Sequence, residues 1–289
     1  MESVTIAHEN IEVVVLPEFG ARLHRLRAFG HDLLRTPSHV DAHRGDPFFW
    51  GAYNMAPWCN RVSADPTRVG RRTLRLATNF GDGAAIHGQV YARPWQQTGE
   101  RQFAVAAGGD DWPWPYEVTL TVHVDGGLVV ISQAMRNLAD EPMPAGLGLH
   151  PWFRRAALIA IHGDSVYETN TNSPAEPRAV IGQFDLRELG RMATGLDATW
   201  SDVARPAVEL RWPEIDLRAT IASDSPTLHI TAASPRDIDG LAVEPQTHAP
   251  QGLRRLIGGE PGALAWLEPG QVLGQRIEID IDIDKGASG

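Results

Sequence analysis

The chemistry-bearing stretch is Gly146-Leu147-Gly148-Leu149-His150-Pro151-Trp152-Phe153. Pro151 biases His150 toward extended backbone. Gly146 and Gly148 leave room for a ligand or a second strand to approach the backbone closely, and Trp152 offers a flat apolar face. An imidazole held beside such a face suits proton transfer to or from a small cyclic molecule near neutral pH; a structural histidine would fit the same surroundings. Glu244 ends the apolar run Gly240-Leu241-Ala242-Val243 and precedes Pro245. That position favours a partly buried carboxylate with a raised pKa, suited to a general base, the alternative being a strand-end salt bridge.

Three further stretches carry polar groups beside aromatic ones. Residues 48–61 form an aromatic-rich segment ending in Asn60 and Arg61. A guanidinium there needs partners for its fork, either a carboxylate or a pair of sugar hydroxyls. Ile86-His87-Gly88 sets a second histidine before a glycine, and Leu196-Asp197 sets a carboxylate before Trp200. His39 and His43, four residues apart, lie in no periodic segment and are read as surface polar residues. The carboxylates of the tail, Glu278, Asp280, Asp282 and Asp284, alternate with isoleucines. They are spread along a strand rather than gathered around a point, so no metal site is expected there.

The elements that must position these groups are strands. Residues 3–16 alternate around a Glu9-Asn10 turn and predict a hairpin, and residues 20–26 predict a third strand. Tyr116–Asp125 and Leu128–Ser132 flank Gly126-Gly127, a hairpin turn signal. More strands are expected at 207–211, 217–222 and 228–232, with the alternating tail as a half-buried strand. Residues 163–206 are the least regular part, with a helical turn expected near 185–189, and residues 250–257 suit one short helix. Helical periodicity is otherwise nearly absent, and neither repeats nor a linker composition appears. The expectation is one all-β domain over residues 1–289, a large antiparallel β-sandwich.

Composition narrows the partners. The chain has 289 residues, 43% hydrophobic and 21% charged, as in an ordinary globular protein. Its formal net charge of −10 argues against nucleic acid or an anionic membrane surface as partner. With Cys59 as the single cysteine, no intramolecular disulfide can form. The first residues lack a basic segment followed by an apolar one, and no apolar run is long enough to span a bilayer. A cytoplasmic location is expected. Of nine tryptophans, most should serve as core. There is no G-x-S-x-G, no phosphate-cradling GxxxxGK[ST] and no H-E-x-x-H.

Taken together and in order, Pro57-Trp58-Cys59-Asn60-Arg61, Ile86-His87-Gly88, Gly148-Leu149-His150-Pro151-Trp152-Phe153 and Val243-Glu244-Pro245-Gln246-Thr247 resemble the aldose 1-epimerases, or galactose mutarotases. The resemblance runs along nearly the whole chain. It implies a β-supersandwich and cofactor-free interconversion of the α and β anomers of a monosaccharide; no metal is expected, and the chain is expected to be a monomer or homodimer. It maps the general acid onto His150 and the general base onto Glu244. It maps sugar contacts onto Arg61, His87 and Asp197, with Asn60 beside them and Trp152 or Trp58 lining the pocket. Gln246 stands where methionine is common and Trp152 where tyrosine is common, so the sugar is left open. Two alternatives remain: a hexose-6-phosphate epimerase using Arg154-Arg155 or Arg71-Arg72 for the phosphate, and a non-catalytic sugar-binding protein.

Overall fold

The structure, a computed structural model, describes residues 2–37, 39, 46–109, 111–155, 157–168 and 176–285. His43 lies outside the described residues; His39 is exposed. Seventeen strands pair into one antiparallel sheet that curls back on itself. The opening hairpin is Val4–His8 with Ile11–Leu16, and Arg22–Ala28 pairs on its far side. The Tyr116–Asp125 and Leu128–Asn137 strands pair through their whole length. The second of them takes the tail strand Val272–Ile283 on its other edge. In the tail Ile277, Ile279 and Ile281 are buried while Asp280 and Asp282 face solvent, the half-buried strand that its alternation predicts.

The layer that matters for function runs Ala52–Met55, Gly148–Phe153, Leu241–Gln246, His229–Ala233 and Asp197–Trp212, each paired antiparallel with the next. The last strand corrects the expectation of irregular chain up to residue 206. It has 16 residues and serves two parts of the sheet: residues 197–200 pair with His229–Ala233, and residues 208–212 pair with Leu217–Ser223. Its partner Leu158–Glu168 shifts register between Ile161 and Gly163. A bulge of that kind breaks alternation locally, which hides the strand from pattern reading. A 3-10 turn occupies Gly182–Phe184, slightly before the expected one, and among the described residues the one α-helix is Gly252–Gly258. None of the described helices is long and apolar enough to cross a membrane.

Two buried apolar clusters fill the layers. The large one takes most of the apolar side chains, including Trp58, Trp112, Trp114, Trp200 and Trp212. Eight of the nine tryptophans are buried, and only Trp266 is well exposed. The small one is Phe48, Tyr53, Met55, Cys59, Ile86, Trp152 and Ala242, on the other face of the site-bearing layer. Gln133 crosses between sheet regions, donating from Nε2 to Asn54 Oδ1 at 2.8 Å and to the Gly148 carbonyl at 3.0 Å. A buried amide with defined partners fixes register more tightly than apolar contact can.

Candidate active site

Register alone brings the suspected acid and base together. Gly148 pairs with Gln246 and Trp152 with Ala242, so His150 falls opposite Glu244. On the next strands Glu244 faces Thr231, Thr231 faces Thr199, and on the other side His150 faces Tyr53. Side chains at alternate positions share a face. One row across the sheet is therefore Thr199, Thr231, Glu244, His150 and Tyr53. The adjacent row on the same face is Asp197, Ala233, Ala242 and Trp152. Two alanines thus stand between the carboxylate and the indole, beside the His150–Glu244 pair.

Contacts sharpen the row. His150 Nε2 lies 3.0 Å from Glu244 Oε1, and both side chains are almost wholly buried. The His150 ring stacks on Tyr53 at 4.4 Å and leans on Trp152 at 5.2 Å. His87 meets it edge-on at 4.9 Å. His150 Nδ1, Glu244 Oε2 and the Tyr53 hydroxyl are buried with no hydrogen-bond partner among the described residues. Buried polar atoms are normally paired, and three exceptions in one row make it the candidate site for a polar ligand.

Asn60 and His87 hold each other in place. The His87 N–H donates to the Asn60 carbonyl at 3.1 Å, and the Asn60 N–H donates to His87 Nδ1 at 3.3 Å. Both residues adopt left-handed backbone, with φ of 55° and 60°, uncommon for non-glycine residues and a kind of strain that gathers at functional sites. Because Nδ1 is an acceptor, the neutral His87 ring carries its proton on Nε2. Burial, and next the Arg61 charge, push its pKa down from the usual imidazole value to about 3. His87 is therefore a neutral donor across the physiological range.

Burial, then the neighbouring His87, holds His150 well below the histidine range. Burial, then the Asp197 carboxylate, lifts Glu244 well above the carboxylate range, with Arg61 pulling the other way. Both directions favour an uncharged pair, with a carboxylic acid 3.0 Å from a neutral imidazole. Such a pair titrates as a unit.

The other expected residues are placed less uniformly. Asp197 is half-buried, in the row beside Glu244. Arg61 turns outward: its Nε pairs with Asp82 Oδ2 at 2.5 Å and its guanidinium covers Phe80, the carboxylate partner that sequence reasoning allowed. Asn60 directs its amide Nδ2 to Gln246 Oε1 at 3.1 Å, and Gln246 Nε2 goes to Thr231 Oγ1 at 2.6 Å. Trp152 gives its indole N–H to the Phe48 carbonyl at 2.6 Å and keeps its ring on His150. Trp58 packs on Trp112 in the large core, not beside His150. The room left by Gly146 and Gly148 is taken by protein rather than ligand: a Cβ would meet the His248 ring at 2.5 Å in the first case and Cys59 Sγ at 2.6 Å in the second. Tyr53 and Thr231 are not among the expected residues, and Gln246 stands out in the sequence only as a departure from the family motif. Only the strand register, which no local pattern reveals, puts them here.

Ligand-capable atoms of His87, His150 and Glu244 lie within 4.8 Å of one another, a donor set that suits a divalent transition metal. The His87 tautomer opposes that use. With Nδ1 accepting from the Asn60 N–H, the free Nε2 carries a proton rather than a lone pair.

The family model for aldose 1-epimerase matches residues 2–279. The chain belongs to the aldose 1-epimerase family. No curated protein matches it closely. Solved structures share its fold at low identity. A protein of Escherichia coli K12, provisionally described as an aldose 1-epimerase, superposes with a TM-score of 0.83 at 17% identity, covering 98% of this chain and 99% of that one. The GalM/aldose epimerase homologue of C. elegans gives a TM-score of 0.80 at 18% identity, with 98% and 99% coverage. Galactose 1-epimerase from Lactobacillus acidophilus NCFM gives 0.77 at 16%, with 96% and 93% coverage. The curled antiparallel sheet is thus the galactose mutarotase-like fold, as its strand pattern and motifs imply.

Proposed function

We propose that the protein is a mutarotase acting on a free aldose, with Glu244 and His150 as its acid–base pair. The observation that carries this reading is their 3.0 Å contact in a buried row flanked by unpartnered polar atoms. Opening a cyclic hemiacetal requires a proton to leave the anomeric hydroxyl and another to reach the ring oxygen. Glu244 takes the first and His150 gives the second. The open aldehyde turns about its C1–C2 bond, and the reversed transfers close the ring on the other face.

Proton counting supports the pairing. With cyclic sugar bound, the reactive state is carboxylate and imidazolium. With open-chain aldehyde bound, it is carboxylic acid and neutral imidazole. The two states hold the same number of protons, so a pair sharing one proton serves both directions. Burial disfavours the charged state, which pulls the bound sugar toward opening. The neutral His87 Nε2–H is a donor for a sugar oxygen, Asp197 an acceptor for a ring hydroxyl, and Arg61 a partner at the rim. Trp152 and the alanines Ala233 and Ala242 form an apolar floor under the ring, with Asn60 holding His87 in place.

The reading of a free sugar is supported by the partners of three of the four arginines that could serve a phosphate, Arg71 being the fourth. Arg154 pairs with Glu214 and Arg72 with Glu141. Arg155 spends its donors on Ser234 and on the carbonyls of Pro235 and Ile238. Polarimetry on freshly dissolved α-glucose, α-galactose, xylose and arabinose, with glucose 6-phosphate as competitor, tests the reading. Acceleration with the free sugars and weak competition is the expected result. Acceleration with none of them would end it, and tight binding of a sugar without anomer exchange would make the protein a sugar-binding module.

A further inference from the structure

We propose that Tyr53 is a further substrate-contacting residue, whose phenol donates its O–H to the ring oxygen of the bound sugar. Tyr53 stands opposite His150 across the strand pair, on the side away from Glu244. If Glu244 serves the anomeric hydroxyl, as in the mutarotase reading on which this inference rests, the ring oxygen lies toward His150 and Tyr53. The phenol ring cannot swing away. One side meets the His150 imidazole at 4.4 Å, the Arg22 guanidinium carbon lies 4.7 Å from its centroid, and the His87 ring meets it edge-on at 5.6 Å.

A spacer needs no hydroxyl. Phenylalanine would stack on His150 equally well and bury no unpaired polar atom, an unfavourable thing to bury. Yet Tyr53 is fully buried, and its hydroxyl has no partner among the described residues. The same row holds two further unpaired buried atoms, Glu244 Oε2 and His150 Nδ1, so the unmet hydroxyl stands beside the acid–base pair and is not the row's single unpaired atom. Burial, then the nearby Glu244, keeps the phenol protonated and hence a donor. A donor there strengthens as negative charge gathers on the ring oxygen during C–O cleavage, the kind of contact that lowers a barrier.

Tyr53→Phe separates this role from packing. Losing one such hydrogen bond should cost about tenfold in kcat/KM, equally for glucose and for xylose, which lacks the exocyclic hydroxymethyl group. The melting temperature should stay level or rise, because an unpaired buried hydroxyl has gone. The variant should also bind 1,5-anhydroglucitol, which keeps the ring oxygen but has no anomeric hydroxyl, about tenfold more weakly than wild type. A variant within twofold of wild type in turnover and binding overturns the proposal, as does a loss confined to glucose. If wild type accelerates no sugar, the mutarotase reading fails, and anhydroglucitol binding still decides the role of Tyr53.

Discussion

His150 and His248 are both fully buried, and in both desolvation is the largest cause of a lowered pKa, to about 4 for His248. They differ in what their ring nitrogens meet. His248 Nδ1 bonds the Ala249 carbonyl at 2.8 Å, and its Nε2 accepts the Cys59 N–H at 2.9 Å. Both nitrogens are satisfied by backbone, the tautomer is fixed, and the ring pins the segment leading into Asn60 against the turn that follows Glu244. His150 sets one nitrogen 3.0 Å from the Glu244 carboxyl, and its other nitrogen meets no neighbouring residue's donor or acceptor. A buried histidine with two backbone partners is architecture. One with a carboxylate partner and an unmet nitrogen is poised to exchange protons.

If that contrast holds, substitutions at the two positions should fail in different ways. The largest effect belongs to the proposed acid–base pair: His150→Gln or Glu244→Gln, which keep most of the side-chain volume, should lower kcat by roughly 10²–10⁴ with a small change in stability, read by anomer-exchange kinetics beside a thermal melt. His248→Ala should reverse the order, destabilising by about 3 kcal/mol through a cavity and two orphaned backbone groups, while the enzyme that remains folded keeps most of its turnover. Denaturant titration measures it; equal stability loss at both histidines would break the comparison.

A subtler version leaves His248 in place and crowds it. In Gly146→Ala the new Cβ would meet the His248 ring at 2.5 Å; a loss of about 1–3 kcal/mol is expected.

Acid reads the same burial. The folded-state pKa values of His87, about 3, and His248, about 4, lie below the 6.5 of an unfolded histidine. As pH falls below 6.5 the unfolded chain takes up protons that the folded one refuses. Stability present at neutral pH is therefore lost between about pH 6.5 and 4, at about 1.4 kcal/mol per pH unit for each histidine. The raised pKa of Glu244 works in the opposite direction above its ordinary 4.5. Denaturation at pH 7 and pH 5 should show the net fall, and His248→Ala should flatten it. The smallest effect is expected on the solvent face of the tail: Asp280→Asn should change stability by less than about 0.5 kcal/mol and activity not at all.

Much of the fold was legible because most strands alternate and end at glycine, proline or paired polar residues. The hairpins around Glu9-Asn10 and Gly126-Gly127 fall where the pattern puts them. The Asp197–Trp212 strand escaped because its opening half, Asp-Ala-Thr-Trp-Ser-Asp-Val-Ala-Arg-Pro, has no clean period and is held by pairing across a register shift. Of the candidate site residues that carry motifs, His150 and Glu244 come together through register, while His87 and Asn60 join them from beside the separate Arg61–Val62 and Ala85–Ile86 pairing. Arg61 was left between a carboxylate and a sugar, and the structure gives it Asp82. Tyr53, Thr231 and His248 carry no signal of their own, and Gln246 carries only a departure from the family motif. Their meaning lies in partners 15 to 189 residues away along the chain.

The most direct measurement is anomer exchange by NMR on α-glucose and α-galactose with wild type beside Glu244→Gln, each checked for folding. Glutamine keeps the size of the side chain and removes its capacity to hold and release the shared proton. Line broadening or saturation transfer between anomers with wild type, reduced at least a hundredfold or so in the variant, is the expected result. A Glu244→Gln protein that exchanges anomers at the wild-type rate would contradict the assignment of the His150–Glu244 pair as the seat of proton transfer.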